Sequence, residues 1–232
     1  MDDGEDDMSG AAALLSRRQL MAAALLAGLA GPAWAQTTPD GTAEEPLMQI
    51  DPTRSALVLL HYQTDILSIF AQAGIGAYVE RMSALAESAR AAGIPVYFVR
   101  IGFSPDYREI SANNQNGQMI RSFGLFTADD VPEGLRAEGD TVLVAHRVSA
   151  FRGTDLDLLL RARGIDTLMM AGVTTTGVVF STLAEASDLD YRILLVADGC
   201  FEPDAAAQDA MLRVPFATRA EIVTTGDLIA AL

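Results

Sequence analysis

Residues 171–186 read Ala-Gly-Val-Thr-Thr-Thr-Gly-Val-Val-Phe-Ser-Thr-Leu-Ala-Glu-Ala. The apolar residues that lead into this stretch are typical of a buried strand, and residues 177–188 are typical of a helix. The threonines and glycine between them predict a tight elbow, where backbone N–H groups at a helix start hold negative charge. We therefore predict a site for a substrate or a developing oxyanion, formed by Thr174, Thr175, Thr176, Gly177 and Val178.

A purely structural role is open to the same threonines. A threonine hydroxyl is a good N-cap for a helix such as the one predicted at residues 177–188. One residue can do both, because a capping residue can also line a pocket.

Apolar strand patterns alternate with helical patterns over the rest of the chain. Strands are predicted at residues 55–60, 95–101, 141–144, 167–171, 192–196 and 221–224, and helices at residues 75–92, 155–163, 177–188 and 203–214. This alternation predicts an α/β fold, a three-layer doubly wound sandwich around a mainly parallel six-stranded sheet. Functional sites in such folds lie at the carboxyl ends of the strands. Residues 102–138 are predicted to be a long irregular insertion that covers the site.

Composition excludes several kinds of function. The net charge is −15, which opposes binding to nucleic acid. All 16 basic residues are arginine, so no lysine can act as a base or form a Schiff base. With one cysteine and two histidines, the chain can form no internal disulfide and no Cys/His zinc cluster. We therefore expect no cofactor and no metal.

The N-terminal residues have the pattern of an export signal. Two adjacent arginines, Arg17 and Arg18, precede the apolar run 21–30, and Ala-Trp-Ala at residues 33–35 offers a cleavage site. We predict a twin-arginine-type signal peptide at residues 1–35, a flexible tether at 36–50 and a single domain at 51–232. The apolar run is too short for stable membrane insertion, so the mature protein is expected in the periplasm or secreted.

Four segments carry a resemblance to a known family. They are the elbow, Leu-His-Tyr-Gln-Thr-Asp at 60–65, Val-Ala-His-Arg-Val-Ser-Ala-Phe-Arg-Gly-Thr-Asp-Leu at 144–156 and Ala-Asp-Gly-Cys at 197–200. Together they resemble the isochorismatase-like (cysteine hydrolase) family over about residues 52–228. The resemblance implies a small-molecule substrate, a homo-oligomer and a cis peptide bond between Val173 and Thr174.

The resemblance also implies a divergent active site. The family uses an Asp base, a Lys partner and a Cys nucleophile, and these positions correspond to His61, Ala145 and Val178. One hypothesis is an exported hydrolase of non-standard mechanism, in which the catalytic residue His61 takes or gives a proton. The alternative is a catalytically inactive pseudoenzyme that serves as a periplasmic binding or assembly protein.

Several further side chains are candidates for supporting roles. Tyr62 and Phe151, together with Phe103 and Tyr107, are candidates for an apolar wall of the substrate pocket. His146 is expected to point away from that pocket, because adjacent side chains of a strand alternate. Cys200 is expected to be a buried structural thiol, although a hydrolase that uses this thiol is a third option.

Overall fold

The computed structural model describes residues 48–128 and 130–232. The predicted signal peptide at 1–35 and most of the predicted tether at 36–50 lie outside these residues. In the part of the chain that is described, no helix is both long and apolar enough to cross a bilayer.

Six strands form one parallel sheet in the order β3-β2-β1-β4-β5-β6. The strands are β1 (Ser55–Leu60), β2 (Val96–Ile101), β3 (Thr141–Ala145), β4 (Thr167–Val173), β5 (Arg192–Phe201) and β6 (Glu221–Val223). Every residue of β1 and β4 is buried, as expected for central strands covered on both faces. The predicted fold class is thus confirmed.

The described chain contains seven α-helices, six of them between strands and one after β6. They are α1 (Thr64–Ile69), α2 (Gly76–Ala91), α3 (Gln115–Phe123), α4 (Leu156–Ala162), α5 (Phe180–Asp188), α6 (Ala205–Met211) and α7 (Thr225–Ala231). A π-helical turn at Thr175–Val179 leads into α5, and a second at Leu212–Phe216 follows α6. Helix α3 lies inside the segment predicted to be irregular, so that prediction is wrong for residues 115–123.

The sheet is covered on both faces. Met82 of α2 lies against Gly199 of β5, and Val179 of the elbow lies against Gly172 of β4. Gly172 pairs with Cys200 in the sheet, so Gly199 and Gly172 face opposite sides. Helix α2 therefore covers one face and the elbow covers the other, which gives the three layers.

Strands β1 and β4 are neighbours at the point where the strand order reverses. The chain proceeds from β1 to one side of the sheet through β2 and β3, and β4 begins the other side. A crevice forms outside the carboxyl ends of the strands at such a switch point. His61, which follows β1, and the elbow, which follows β4, are brought together there.

Candidate active site

A cavity of about 280 Å³ lies at this switch point. Its lining comes from the ends of β1, β2 and β4, from the elbow, from the loop that follows β3, and from α1 and α3 with the loops that follow them. The lining residues are His61, Ile66, Ile69, Phe70, Ile101, Asn116, Met119, Ile120, Leu125, Phe126, Val148, Val173, Thr174, Gly177 and Val178. Of these residues, none carries a carboxylate, an amine, a guanidinium or a thiol.

His61 contributes the titratable group of this lining. Its backbone N–H donates to the carbonyl of Val99 at 2.8 Å, which anchors it beside β2. The residue adopts a left-handed backbone conformation with φ 58°, so the chain turns sharply after β1. The side chain is 6 % exposed, and its Nε2 atom has no hydrogen-bond partner in the described structure.

Burial holds His61 in its neutral form. Removal of the imidazole from water lowers its pKa from 6.5 to about 3, because the charged form loses its hydration. The imidazole is thus uncharged over the physiological pH range and presents one donor and one acceptor nitrogen.

The elbow is built by close contacts and local hydrogen bonds. Gly172 allows Leu60 and Val179 to approach so closely that a Cβ atom there would lie 2.7 Å and 2.9 Å from their side-chain atoms. The next peptide bond, between Val173 and Thr174, is cis, as the resemblance implies. The carbonyl of Thr174 then accepts from the N–H groups of Gly177 and Val179, both at 3.2 Å.

Two of the predicted oxyanion donors already have partners within the protein. The N–H and the hydroxyl of Thr176 both donate to Oε2 of Glu202, at 3.0 Å and 2.6 Å. The N–H of Gly177 donates to Thr174. Neither Thr175 nor Thr176 lines the cavity, and the Thr175 side chain is fully buried with an unpartnered hydroxyl. The elbow therefore contributes Thr174, Gly177 and Val178 to the cavity, fewer residues than the sequence suggests.

The aromatic wall differs from the predicted one. Tyr62 is buried and donates its hydroxyl to the carbonyl of Gly199 at 2.6 Å. Phe151 stacks on Tyr191 with the ring centroids 5.9 Å apart. The structure places both in the packing around the site, outside the cavity lining. Phe70 and Phe126 provide the aromatic surface instead.

Helix α3 and its following loop form a wall that sequence reasoning missed. Asn114 caps the helix by accepting from the N–H of Gly117 at 3.0 Å, and Gly124 ends it in a left-handed conformation. An Asn before a short apolar pattern and a Gly after it are the signals that locate such a helix. The loop is held by Asp65, whose carboxylate accepts from the N–H of Phe126 at 3.2 Å.

Phe103 and Tyr107 support this loop from behind. The N–H of Phe103 donates to the carbonyl of Phe126 at 2.9 Å. The hydroxyl of Tyr107 donates to the carbonyl of Leu125, also at 2.9 Å. These two aromatic residues therefore position cavity residues without lining the cavity themselves.

His146 and Cys200 lie elsewhere. The Nδ1 atom of His146 lies 2.6 Å from the carbonyl oxygen of Gly102, and the ring faces a separate polar cavity. His146 is outside the lining of the His61 cavity, in agreement with the prediction that it points away from the substrate pocket. Cys200 is fully buried, as predicted, and burial raises the pKa of its thiol to about 12.

The residue types of the His61 cavity do not match a metal site. Within residues 48–128 and 130–232, no three His, Cys, Asp or Glu side chains cluster closely enough to hold an ion. A single imidazole, Asn116 and Thr174 are the polar side chains of the lining.

Comparison with known proteins establishes the family. A model of the isochorismatase domain matches residues 55–227, three quarters of the chain. The chain belongs to the isochorismatase family. The match runs from the first residue of β1 into α7, so the six strands and the cavity all lie within the isochorismatase domain.

Several isochorismatase-family relatives cover most of the chain. An uncharacterised isochorismatase family protein, YecD of Escherichia coli O157:H7, is 30 % identical over 80 % of this chain and all of that protein. The ureidoacrylate amidohydrolase RutB of Methylorubrum extorquens AM1 is 32 % identical over 63 % of this chain and 66 % of that protein.

Solved structures agree with the fold. An isochorismatase family protein from Desulfovibrio vulgaris has a TM-score of 0.67 at 29 % identity, covering 75 % of this chain and 96 % of that one. The N-carbamoylsarcosine amidase of Thermoplasma acidophilum has a TM-score of 0.59 at 29 % identity, covering 74 % of this chain and 96 % of that one. The isochorismatase family thus includes proteins named as amidohydrolases and amidases, which supports hydrolysis as its chemistry.

Proposed function

We propose that this chain is an isochorismatase-family hydrolase that acts on a small molecule without a cysteine nucleophile. The observation that carries the proposal is His61, which lines a cavity shared with the elbow and whose Nε2 atom is buried and unpartnered. An unpartnered buried polar atom is costly to the fold, so a site that retains one is a candidate for function.

The cavity residues support a mechanism without a thioester. Resemblance places the family's Asp, Lys and Cys at His61, Ala145 and Val178. Ala145 is fully buried and Val178 is 1 % exposed, and neither side chain can attack a carbonyl or carry charge. The nucleophile is then water, and His61 is the group that orients it.

Proton transfer through His61 completes the proposed reaction. The imidazole nitrogen accepts a proton from water while the water oxygen bonds to the carbonyl carbon of the substrate. The C–N or C–O bond to the leaving group then breaks, and His61 returns the proton to that group. Burial lowers the pKa of His61 because the imidazolium loses its hydration, and the developing oxyanion then stabilises the imidazolium by its opposite charge.

A second candidate is a binding protein without turnover. One observation favours it: with a pKa of about 3, His61 is a weak base, and the described lining holds no second titratable side chain to assist it. In this case His61 gives a ligand one hydrogen bond, and no bond breaks.

Turnover by the full-length chain distinguishes the two candidates. A panel of small amides, imides, esters and enol ethers is incubated with the parent, with His61→Asn and with His146→Asn, and products are followed by mass spectrometry. Asn tolerates the left-handed backbone at residue 61, and His146 is the matched control outside the cavity. Hydrolysis that is lost at least 100-fold in His61→Asn alone supports the hydrolase.

Other outcomes of this assay contradict the hydrolase. Saturable binding without products identifies the binding protein. Turnover that His61→Asn leaves unchanged refutes the role of His61.

We also propose that the chain is exported through its twin-arginine pattern and works as a homo-oligomer in the periplasm. The sequence of residues 16–35 supports export, and the family resemblance supports oligomers. Replacing Arg17 and Arg18 by lysine is expected to keep the protein in the cytoplasm of a Gram-negative host. Cell fractionation tests export, and light scattering of the mature protein tests the oligomer.

A further inference from the structure

We propose that the His61 cavity selects an uncharged, mainly apolar molecule of about ten to twelve non-hydrogen atoms that carries one hydroxyl or carboxamide group for His61. This inference deepens the proposed function, on which it rests, by naming the class of substrate. It is carried by the lining and the volume of the cavity and by the imidazole of His61, which belongs to that lining.

The described part of the lining carries no charged side chain. Each described residue around the cavity has an uncharged side chain at neutral pH, His61 included. An ionic ligand would lose its hydration on entry and meet no opposite charge, which makes its binding costly. A neutral ligand loses much less hydration free energy on entry.

Apolar side chains line the cavity from three sides. Ile66 and Phe70 come from the α1 side, Ile120 and Phe126 from the α3 side, and Val178 from the elbow. Such surfaces favour the apolar body of a ligand, since binding removes both surfaces from water.

The mouth of the cavity is also lined mainly by apolar side chains. Ile69 and Met119 line the cavity while remaining 54 % exposed each. A methionine side chain adapts readily to ligands of different shape. Asn116, also exposed, is the polar group of this rim. The ligand therefore contacts apolar side chains both at its buried end and where it meets solvent.

The volume sets the size of the ligand. An apolar cavity of about 150 Å³ is large enough to bind benzene. The cavity beside His61 measures about 280 Å³, nearly twice as much. This space fits a substituted ring or a compact aliphatic molecule of about ten to twelve non-hydrogen atoms.

His61 sets the polar group of the ligand. A neutral imidazole has one donor and one acceptor nitrogen. Hydroxyl and carboxamide groups both donate and accept, so they fit an imidazole nitrogen in either tautomer. Such a group forms a hydrogen bond with the imidazole of His61 inside the cavity.

An isosteric pair of ligands tests the proposal on the unaltered full-length protein. Cinnamamide and cinnamate have nearly the same shape, size and apolar surface and differ in charge. We expect isothermal titration calorimetry at pH 8 to show that cinnamamide binds at least tenfold more tightly. Its affinity should stay level between pH 8 and pH 5. Cinnamate binding should strengthen about tenfold for each unit by which the pH falls, because its entry takes up one proton.

Variants locate the binding. His61→Asn is expected to weaken cinnamamide binding at least tenfold, whereas His146→Asn leaves it unchanged. Tighter binding of cinnamate at pH 8, or no binding of either compound at millimolar concentration, overturns the proposal. The parent measurements alone decide this even if His61→Asn does not fold.

Failure of this inference is distinguishable from failure of the proposed function. Binding of cinnamamide without hydrolysis of any panel compound refutes the hydrolase and leaves the selectivity intact. Hydrolysis of an ionic substrate that depends on His61 supports the hydrolase and refutes the selectivity.

Discussion

The side-chain amide of Gln63 forms two hydrogen bonds with the backbone of Ile101, as the backbone of a neighbouring strand would. The N–H of Ile101 donates to Gln63 Oε1 at 2.7 Å, and Gln63 Nε2 donates to the carbonyl of Ile101 at 3.0 Å. Gln63 is fully buried, two residues after His61, and Ile101 lines the cavity. This pair therefore fixes the segment that carries His61 to the end of β2.

Removal of this amide is expected to be costly. Gln63→Ala leaves a buried N–H and a buried carbonyl of Ile101 without these partners, and each such group costs roughly 1–3 kcal/mol. We expect the free energy of unfolding to fall by about 3 kcal/mol in urea denaturation. The matched control is Gln118→Ala, whose exposed amide donates to Ser111, with an expected loss under about 1 kcal/mol. Equal losses in the two variants would contradict this role of Gln63.

His61 is expected to make the protein less stable in mild acid. Its pKa is about 3 in the folded protein, against 6.5 for an imidazole in water. Between pH 3 and pH 6.5, His61 is therefore protonated in the unfolded chain and neutral in the folded chain. Between these values, stability falls as the pH falls, and His61 alone accounts for about 2 kcal/mol between pH 7.5 and pH 5.

Chemical denaturation at these two pH values measures this contribution. Over the same interval, the free energy of unfolding of His61→Asn should fall by about 2 kcal/mol less than that of the parent. The same pH dependence in His61→Asn and the parent would show that the imidazole is not buried in its neutral form.

Alkylation distinguishes residues 178 and 200. Cys200 is fully buried and burial raises its thiol pKa to about 12, so iodoacetamide is expected to leave the native parent unmodified. Val178→Cys places a thiol in the lining of the cavity and should add one alkylated site, detected by intact mass. Rapid modification of the native parent, with loss of any turnover, would instead favour a hydrolase that uses Cys200.

Two glycines are expected to tolerate alanine differently. At Gly172 a Cβ would lie 2.7 Å from the Cβ of Leu60 and 3.0 Å from its carbonyl oxygen, and neither atom can move without the strand. At Gly199 the nearest atoms, at 2.6 Å and 2.7 Å, belong to the flexible end of Met82.

We therefore expect the free energy of unfolding to fall by about 2–3 kcal/mol in Gly172→Ala and by about 1 kcal/mol in Gly199→Ala. Urea denaturation of both variants compares them directly. A larger loss for Gly199→Ala would mean that Met82 is fixed in its place.

Much of the fold was predictable because its central strands are continuously apolar. The prediction for residues 55–60 matches β1 residue for residue, since a strand buried on both faces leaves an unbroken apolar run. The predicted fifth strand ends at residue 196, five residues short of Phe201, because the Ala-Asp-Gly sequence of residues 197–199 breaks that apolar run.

The site was predictable only in part. The position of His61 follows from topology, because it ends a central strand beside the elbow. Helix α3 was missed because two of its apolar side chains, Met119 and Phe123, face solvent, which weakens the helical pattern. The contacts of Tyr62 depend on Gly199, 137 residues away in sequence, and no local signal encodes them.

The positive φ angle of residue 61 restricts which amino acids can occupy this position. β-Branched and bulky side chains are disfavoured in the left-handed region, whereas Gly, Asn, Asp and His adopt it more readily. The backbone conformation at residue 61 therefore suits an aspartate as well as a histidine. A single substitution can therefore change the chemistry at the end of β1. The backbones of homologues with Asp or with His at this position should superimpose closely through the turn.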